Sequence, residues 1–244
     1  MTREEPSESF NDFFTQPRIL WNSLSPVERQ DLAQCLLYHL QYVGSKSVRQ
    51  QNVDLWANVD TGLANTLAEG LGVNPAKGSH VSVDISYPSL SQFNTPYLAA
   101  TQRVGVLIGN GFNGQEVKNV LRFLEENGVF VQLISENLGA VTPADGTKVK
   151  VDETFLTKYP VLYDALYVVG GSAENQAKLN QDIAGFIQEA YKHYKPIGVA
   201  TTGNGFINRS KNNNLAGVVF ATDNPDFRKD FVAAIAKQRF WDRT

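Results

Sequence analysis

The sequence is short of the side chains on which most site chemistry is built. Its 244 residues include one cysteine, Cys35, and three histidines, His39, His80 and His193. A single cysteine excludes an intrachain disulfide and any multi-cysteine metal site, and no two of the histidines have metal-ligand spacing, so no metal is expected. Positive charge is not in excess either. Against 22 Lys and Arg stand 25 Asp and Glu, for a net charge of -3 and a pI near 5.7. The basic residues are scattered, so no cationic field is available for a phosphate backbone and nucleic acid is not an expected partner. No apolar run approaches the roughly 20 residues of a bilayer span. The first residues, MTREEPSESF, carry charge where a secretory leader would be apolar. Neither membrane nor export is expected from these features.

What is present suffices for one substantial core or a smaller core plus an appendage, with 42% of residues hydrophobic. Residues 1–24 run from polar to aromatic (Phe10, Phe13, Phe14, Trp21) without a clean period, and read as an extended arm that needs a partner surface. Ser25-Pro26-Val27-Glu28 is a helix start: serine can cap, proline suits the first helical position and glutamate completes a capping box. The helix so begun carries a wide apolar side to about Gly44. A second helix is expected from Ser47 and a third from Asp60 to Gly70 or Gly72, making residues 25–72 a small helical unit. Residues 73–101, with Asn74-Pro75, Tyr87-Pro88 and Thr95-Pro96, read as a linker.

From residue 102 the pattern becomes strand, helix, strand. RVGVLI at 103–108, 129–134, ALYVV at 165–169, 197–200 and 218–221 are expected strands, and 114–127, 173–193 and 225–240 expected helices. Such alternation implies an α/β fold with a doubly wound, mainly parallel sheet and helices on both faces, the flavodoxin-like arrangement. Gly139-Ala140-Val141 and Val149-Lys150-Val151 flank an Asp145-Gly146 turn and read as an inserted hairpin.

In such sheets ligands gather at the carboxyl ends of the strands. Gly109-Asn110-Gly111-Phe112-Asn113-Gly114 satisfies G-x-G-x-x-G between a strand and a helix. Gly109, Gly111 and Gly114 are therefore candidates for holding a dinucleotide pyrophosphate, with Glu136 for a ribose hydroxyl; the plainer alternative is a tight turn. Thr201-Thr202-Gly203, after Lys195-Pro196-Ile197-Gly198-Val199-Ala200, has the layout of a nucleophile elbow with Thr201 presented. Gly170-Gly171-Ser172 could offer oxyanion-binding amides or only a sharp turn. His39 reads as a satisfied or half-buried imidazole, His193 as a cation at a helix end and His80 as a linker residue; Cys35 reads as a small buried hydrophobe.

The stretch Phe13-Phe14-Thr15-Gln16-Pro17-Arg18-Ile19-Leu20-Trp21-Asn22-Ser23-Leu24-Ser25-Pro26-Val27-Glu28 resembles the lead into the final helices of catalase subunits. The order of helical unit, Pro-rich linker and strand-helix domain resembles the C-terminal part of large-subunit catalases of fungal type. From about Ala99 the chain is similar to the class I glutamine amidotransferase-like superfamily, which includes proteases and protein-repair deglycases. RVGVLIGNGFNG, ALYVVGG and KPIGVATTG carry that likeness.

Active members of that superfamily place cysteine at the elbow, where this chain has Thr201, and an acidic residue that falls here on Gln115 or, one position on, Glu116. The resemblance therefore implies a domain that has lost its nucleophile, with Thr201, Thr202 and Gly203 as a vestigial elbow. It also implies a haem-dependent, peroxide-decomposing parent, although the distal histidine and the Arg-x-x-x-Tyr run of a haem site are absent and no cofactor is expected in this chain. The implied role is a non-catalytic accessory domain in tetramer stability and as a chaperone. Its expected partners are the parent's catalase core, neighbouring subunits and unfolded clients, with a homo-oligomer as a further state. The alternatives are an altered hydrolase or deglycase using Thr201 with Glu116 as base, or a nucleotide-binding module at Gly109 to Gly114.

Overall fold

A computed structural model describes residues 11–77, 84–94, 96–174, 176–207 and 214–243. The chain divides into two compact units, Met1–Thr95 and Pro96–Thr244.

The first unit holds four helices, α1 (Thr15–Ser23), α2 (Pro26–Leu40), α3 (Lys46–Trp56) and α4 (Thr61–Leu71). Of the arm read at residues 1–24, residues 1–10 lie outside the described residues and 15–23 are helix rather than extended. Asp12 Oδ1 accepts from the Thr15 amide at 3.0 Å, and Pro17 sits in the first turn, where its missing N–H costs nothing. Trp21 is buried with Ala33, Val53, Leu63 and Leu67, so the arm's aromatics belong partly to this unit's own core. Phe13 remains 70% exposed.

The capping box is present: the Ser25 hydroxyl accepts from the Glu28 amide, and the Glu28 carboxylate accepts from the Ser25 amide at 2.8 Å. α3 starts one residue before Ser47, at Lys46, because Ser45 supplies the cap. α4 begins at the Asp60 cap and ends at Gly72, whose φ of 63° suits glycine. On α2 only Ala33 is fully buried. Cys35 and His39 are exposed, contrary to expectation. They project from the side of α2 turned away from the packing of Leu36, Leu37 and Leu40.

Of the stretch read as a linker, residues 87–92 are fastened to this unit, whereas the Thr101 amide donates to the Gly128 carbonyl of the second unit at 2.8 Å. Glu28 accepts from the Ser91 hydroxyl and the Gln92 amide, each at 2.7 Å, and the Ser23 hydroxyl accepts from the Tyr87 amide at 2.8 Å.

The second unit is a six-stranded sheet of β1 (Arg103–Ile108), β2 (Phe130–Ser135), β5 (Glu153–Thr154), β6 (Ala165–Gly170), β7 (Ile197–Val199) and β8 (Val218–Phe220), ordered β5-β2-β1-β6-β7-β8. Every pairing in it is parallel. The two-residue edge strand β5 was not foreseen. The hairpin β3 (Gly139–Val141) and β4 (Val149–Val151) pairs antiparallel as a separate ribbon.

The helices are α5 (Gly114–Glu126), α6 (Ala177–Lys192) and α7 (Phe227–Lys237). Strand side chains alternate between two cores. Val104, Val106, Ile108, Tyr167 and Val169 pack with α5 and α7, whereas Leu107, Leu166, Val168, Ile197 and Val199 pack with α6. That period-two division places helices on both faces, the flavodoxin-like arrangement. Before β7, buried Lys195 donates to the carbonyls of Pro160 and Tyr163 at 2.9 and 2.5 Å. Burial, reinforced by Arg239, brings its pKa down to about 8.

Burial pushes the Glu28 carboxyl up, but hydrogen bonds from Ser25, Ser91 and Gln92 outweigh it and leave the group below its ordinary value. Its contribution is therefore complete above the ordinary carboxylate pKa and is lost as pH falls through the depressed one. Hydrogen exchange at the Gln92 amide, corrected for intrinsic rate, is expected to lose protection over that acid interval and at every pH in Glu28→Ala. Protection that stays flat through the interval would contradict the assignment.

Candidate functional site

At the carboxyl end of β7, where an elbow was expected, the chain leaves the sheet in a tight turn. The Ala200 amide still donates to the Val168 carbonyl at 2.9 Å, and residues Thr201–Phe206 then form a 3-10 turn. The Gly203 amide donates to the Ala200 carbonyl at 2.9 Å, and the Thr202 hydroxyl to the Val169 carbonyl at 2.8 Å. Glycine is required at 203, since a Cβ there would overlap the Val168 carbonyl oxygen.

Thr201 is exposed at the head of the turn. Its backbone is not strained: the described non-glycine residues with positive φ are Thr101, Tyr194, Asp223 and Gln238. A nucleophile elbow draws its geometry from a sharp, strained bend, and Thr201 sits in a relaxed one.

Of the two residues at the acidic position, the fold brings Glu116 to the elbow. Its carboxylate accepts from the Thr201 backbone amide at 2.9 Å. Gln115 turns instead toward the inserted hairpin, donating through its side chain to Asn119 at 2.9 Å and through its backbone to Asp145 at 3.4 Å. Behind the elbow, the Tyr167 phenol is buried with no hydrogen-bond partner among the described residues. Burial first, and then the Glu116 charge, raise its pKa well above the ordinary value.

The glycine-rich loop after β1 is occupied by the chain itself. Gly109 N–H donates to the Gly170 carbonyl, Asn110 N–H to Gln176 Oε1 and Gly111 N–H to the Thr142 carbonyl, at 2.8, 2.7 and 2.8 Å. At the start of α5, where a pyrophosphate would sit, Gly114 N–H donates to Asp145 Oδ1 at 2.6 Å and Glu116 N–H to Asn113 Oδ1 at 2.9 Å. The inserted hairpin thus lays a carboxylate on the helix N-terminus. Glu136 pairs with Lys178 at 3.8 Å.

The Gly170-Gly171-Ser172 turn closes on the same loop. Ser172 donates to the Gly111 carbonyl at 2.6 Å and the Ala173 amide to the Asn110 carbonyl at 3.1 Å.

No three His, Cys, Asp or Glu side chains among the described residues stand together as metal ligands. His193 caps α6 beside Glu189, 3.6 Å away, and His39 meets the Tyr38 ring edge-on. His80 lies outside the described residues. A haem seat needs an axial side chain opening into an apolar cavity. Among the described residues Cys35, His39 and His193 are exposed, and the Tyr163 hydroxyl donates to Gln132 at 3.1 Å.

Sequence reading missed Asp145 as the occupant of the α5 start, and Asn224 and Arg228, which line a cleft together with Thr201, because each placement depends on contacts between distant loops. Gly171 is where that closure is tightest, since a Cβ on it would overlap the Asn110 carbonyl oxygen, which is backbone and cannot swing aside. Gly171→Ala is expected to cost about 1–3 kcal/mol or more in denaturant unfolding followed on the second unit. An unchanged midpoint would show that the turn is free to move.

Residues 100–244 match the family model described as the C-terminal domain found in long catalases, and residues 7–71 match one described as catalase-related immune-responsive. Catalase-2 of Bacillus subtilis is 42% identical over 242 residues, covering 97% of this chain and 35% of that protein. A catalase of Alkalihalophilus pseudofirmus is 42% identical over 237 residues, with the same coverage. Catalase-1 of Neurospora crassa is 28% identical over 198 residues, 79% of this chain and 27% of that protein. These two bacterial relatives are thus nearer in identity than the fungal one. The chain spans about a third of the length of the curated relatives it matches. With its α/β fold and a family match over more than half its length, the chain belongs to the C-terminal domain family of long catalases.

Proposed function

We propose that this chain serves as the non-catalytic C-terminal region of a long catalase subunit whose parent disproportionates hydrogen peroxide at haem. In that role it stabilises the parent's assembly against the catalase core and neighbouring subunits, and shields unfolded clients. The observation that carries the non-catalytic part is the hydrogen bond from the Thr201 amide to Glu116. The carboxylate that would have to act as base is anchored to the backbone of the residue it would activate. A threonine hydroxyl lacks the acidity of a thiol and needs an adjacent base. The residues lining the cleft beside Thr201 include neither histidine nor cysteine.

This reading expects no turnover of small esters, aldehydes or dicarbonyls by the full chain, the same silence in Thr201→Ala, and no Soret absorbance after incubation with haem. Turnover that disappears in Thr201→Ala would reverse it in favour of an altered hydrolase.

The client-binding part is supported by exposed apolar side chains, among them Phe13 and Tyr42 on the first unit at 70% and 71%, and Leu156 and Val161 on the second at 77% and 79%. Because Trp21 is a core residue, deleting residues 1–24 to test the aromatics of that stretch would disrupt the first unit itself. The cleaner variant is Phe13→Ser with Tyr42→Ser. We expect the full chain to suppress light scattering by a heated client and the double variant to need several-fold more protein for the same effect. Equal potency would remove these two aromatics from the client-binding role.

A further inference from the structure

Beside the elbow lies a cleft of about 370 Å³ whose chemistry the scaffold role does not use. It opens at the carboxyl end of the sheet, between the first two turns of α5 and the β8 to α7 connection, over a floor that includes Val120 and Phe227. Its volume is at the low end of small-molecule sites.

One wall carries Glu116. The carboxylate's one hydrogen-bond partner among the described residues is the Thr201 amide, which fixes one oxygen and leaves the other for a guest. Asn113 and Asn119 flank it, each spending its carbonyl oxygen within α5, on the Glu116 amide and on Gln115. Their NH₂ groups remain as donors.

The other wall carries Arg228. It leans over the Phe123 ring of α5, with its guanidinium carbon 5.4 Å from the ring centroid. No carboxylate pairs with it among the described residues, whereas neighbouring Lys229 pairs with Asp226 at 3.1 Å. A fixed carboxylate and, among the described residues, an unpaired guanidinium thus border one small cleft, with spare amide donors on the Glu116 wall.

We propose that this cleft binds a small zwitterion of the free α-amino acid class, with its ammonium on Glu116 and its carboxylate on Arg228 and the asparagine amides. A guest with one charge would leave the opposite wall unanswered, and a larger anion would meet the Glu116 charge.

The test is a titration of the isotopically labelled full chain, followed by backbone amide shifts, with glycine, alanine, serine and asparagine. Each is run beside its N-acetyl and its carboxamide derivative. Saturable shifts at Thr201, Glu116 and Arg228 are expected with at least one free amino acid. Blocking either end should weaken binding about tenfold or more. Glu116→Gln, which keeps an acceptor for the Thr201 amide, and Arg228→Ala, on an exposed side chain, should each do the same.

No saturable shift at tens of millimolar would overturn the proposal, as would binding indifferent to both blocking groups. Blocked and free ligands probe the intact chain, so the answer does not depend on either variant folding. The outcome is separable from the non-catalytic reading. Turnover of a bound amino acid would sink that reading and leave the site standing, and silence in the titration would do the reverse.

Discussion

The second unit is organised around one close approach of main chain to main chain. The turn after β6 lies against the loop after β1, with Gly171 touching the Asn110 carbonyl where no side chain fits. Sheet order reverses at this pair of strands, β2 lying on one side of β1 and β6 on the other. That reversal opens the crevice in which doubly wound proteins hold their ligands. Here Gln176, Ser172 and the Thr142 carbonyl reach into it and take the polar groups of the Asn110 loop. Asp145 does the same at the adjacent helix start.

The consequence for chemistry follows from the accounting of donors. A glycine-rich loop binds phosphate because its amides are free and converge on the start of a helix. In this chain those amides already donate to the protein, so a nucleotide would have to displace Asp145 and Gln176 before gaining anything. Other polar groups border the turn after β7. There the turn after β7 meets α5 through Glu116, and the partners left over are a carboxylate oxygen, two amides and a guanidinium.

How much of this could be read from the residues depended on the range of the interaction. Local devices were legible: the Ser25 and Glu28 capping box, the Asp60 cap, and the period-two division of RVGVLI and ALYVV between two cores. Direction around a helix was not. α2 has apolar residues on so many sides that hydropathy could not tell Leu36 and Leu37 from Cys35, and Cys35 faces outward. α1 was hidden because its apolar residues keep no period, and it becomes a helix by tertiary packing of Trp21. The choice between Gln115 and Glu116 could not be made by alignment of one chain. What the fold adds is that the side of the first turn of α5 facing the turn after β7 carries Glu116.

That same carboxylate argues against treating an acidic residue near an elbow as proof of chemistry. The first residue of the turn has a backbone amide that the ladder no longer uses, because β7 ends at Val199 and the Ala200 amide makes the last bond to β6. Such a donor must be answered by water or by a side chain. Glu116 answers it from α5, tying the end of one strand to the helix that follows another. A carboxylate in this position is accounted for by the backbone alone, whether the side chain above it is a thiol, a hydroxyl or a methyl group.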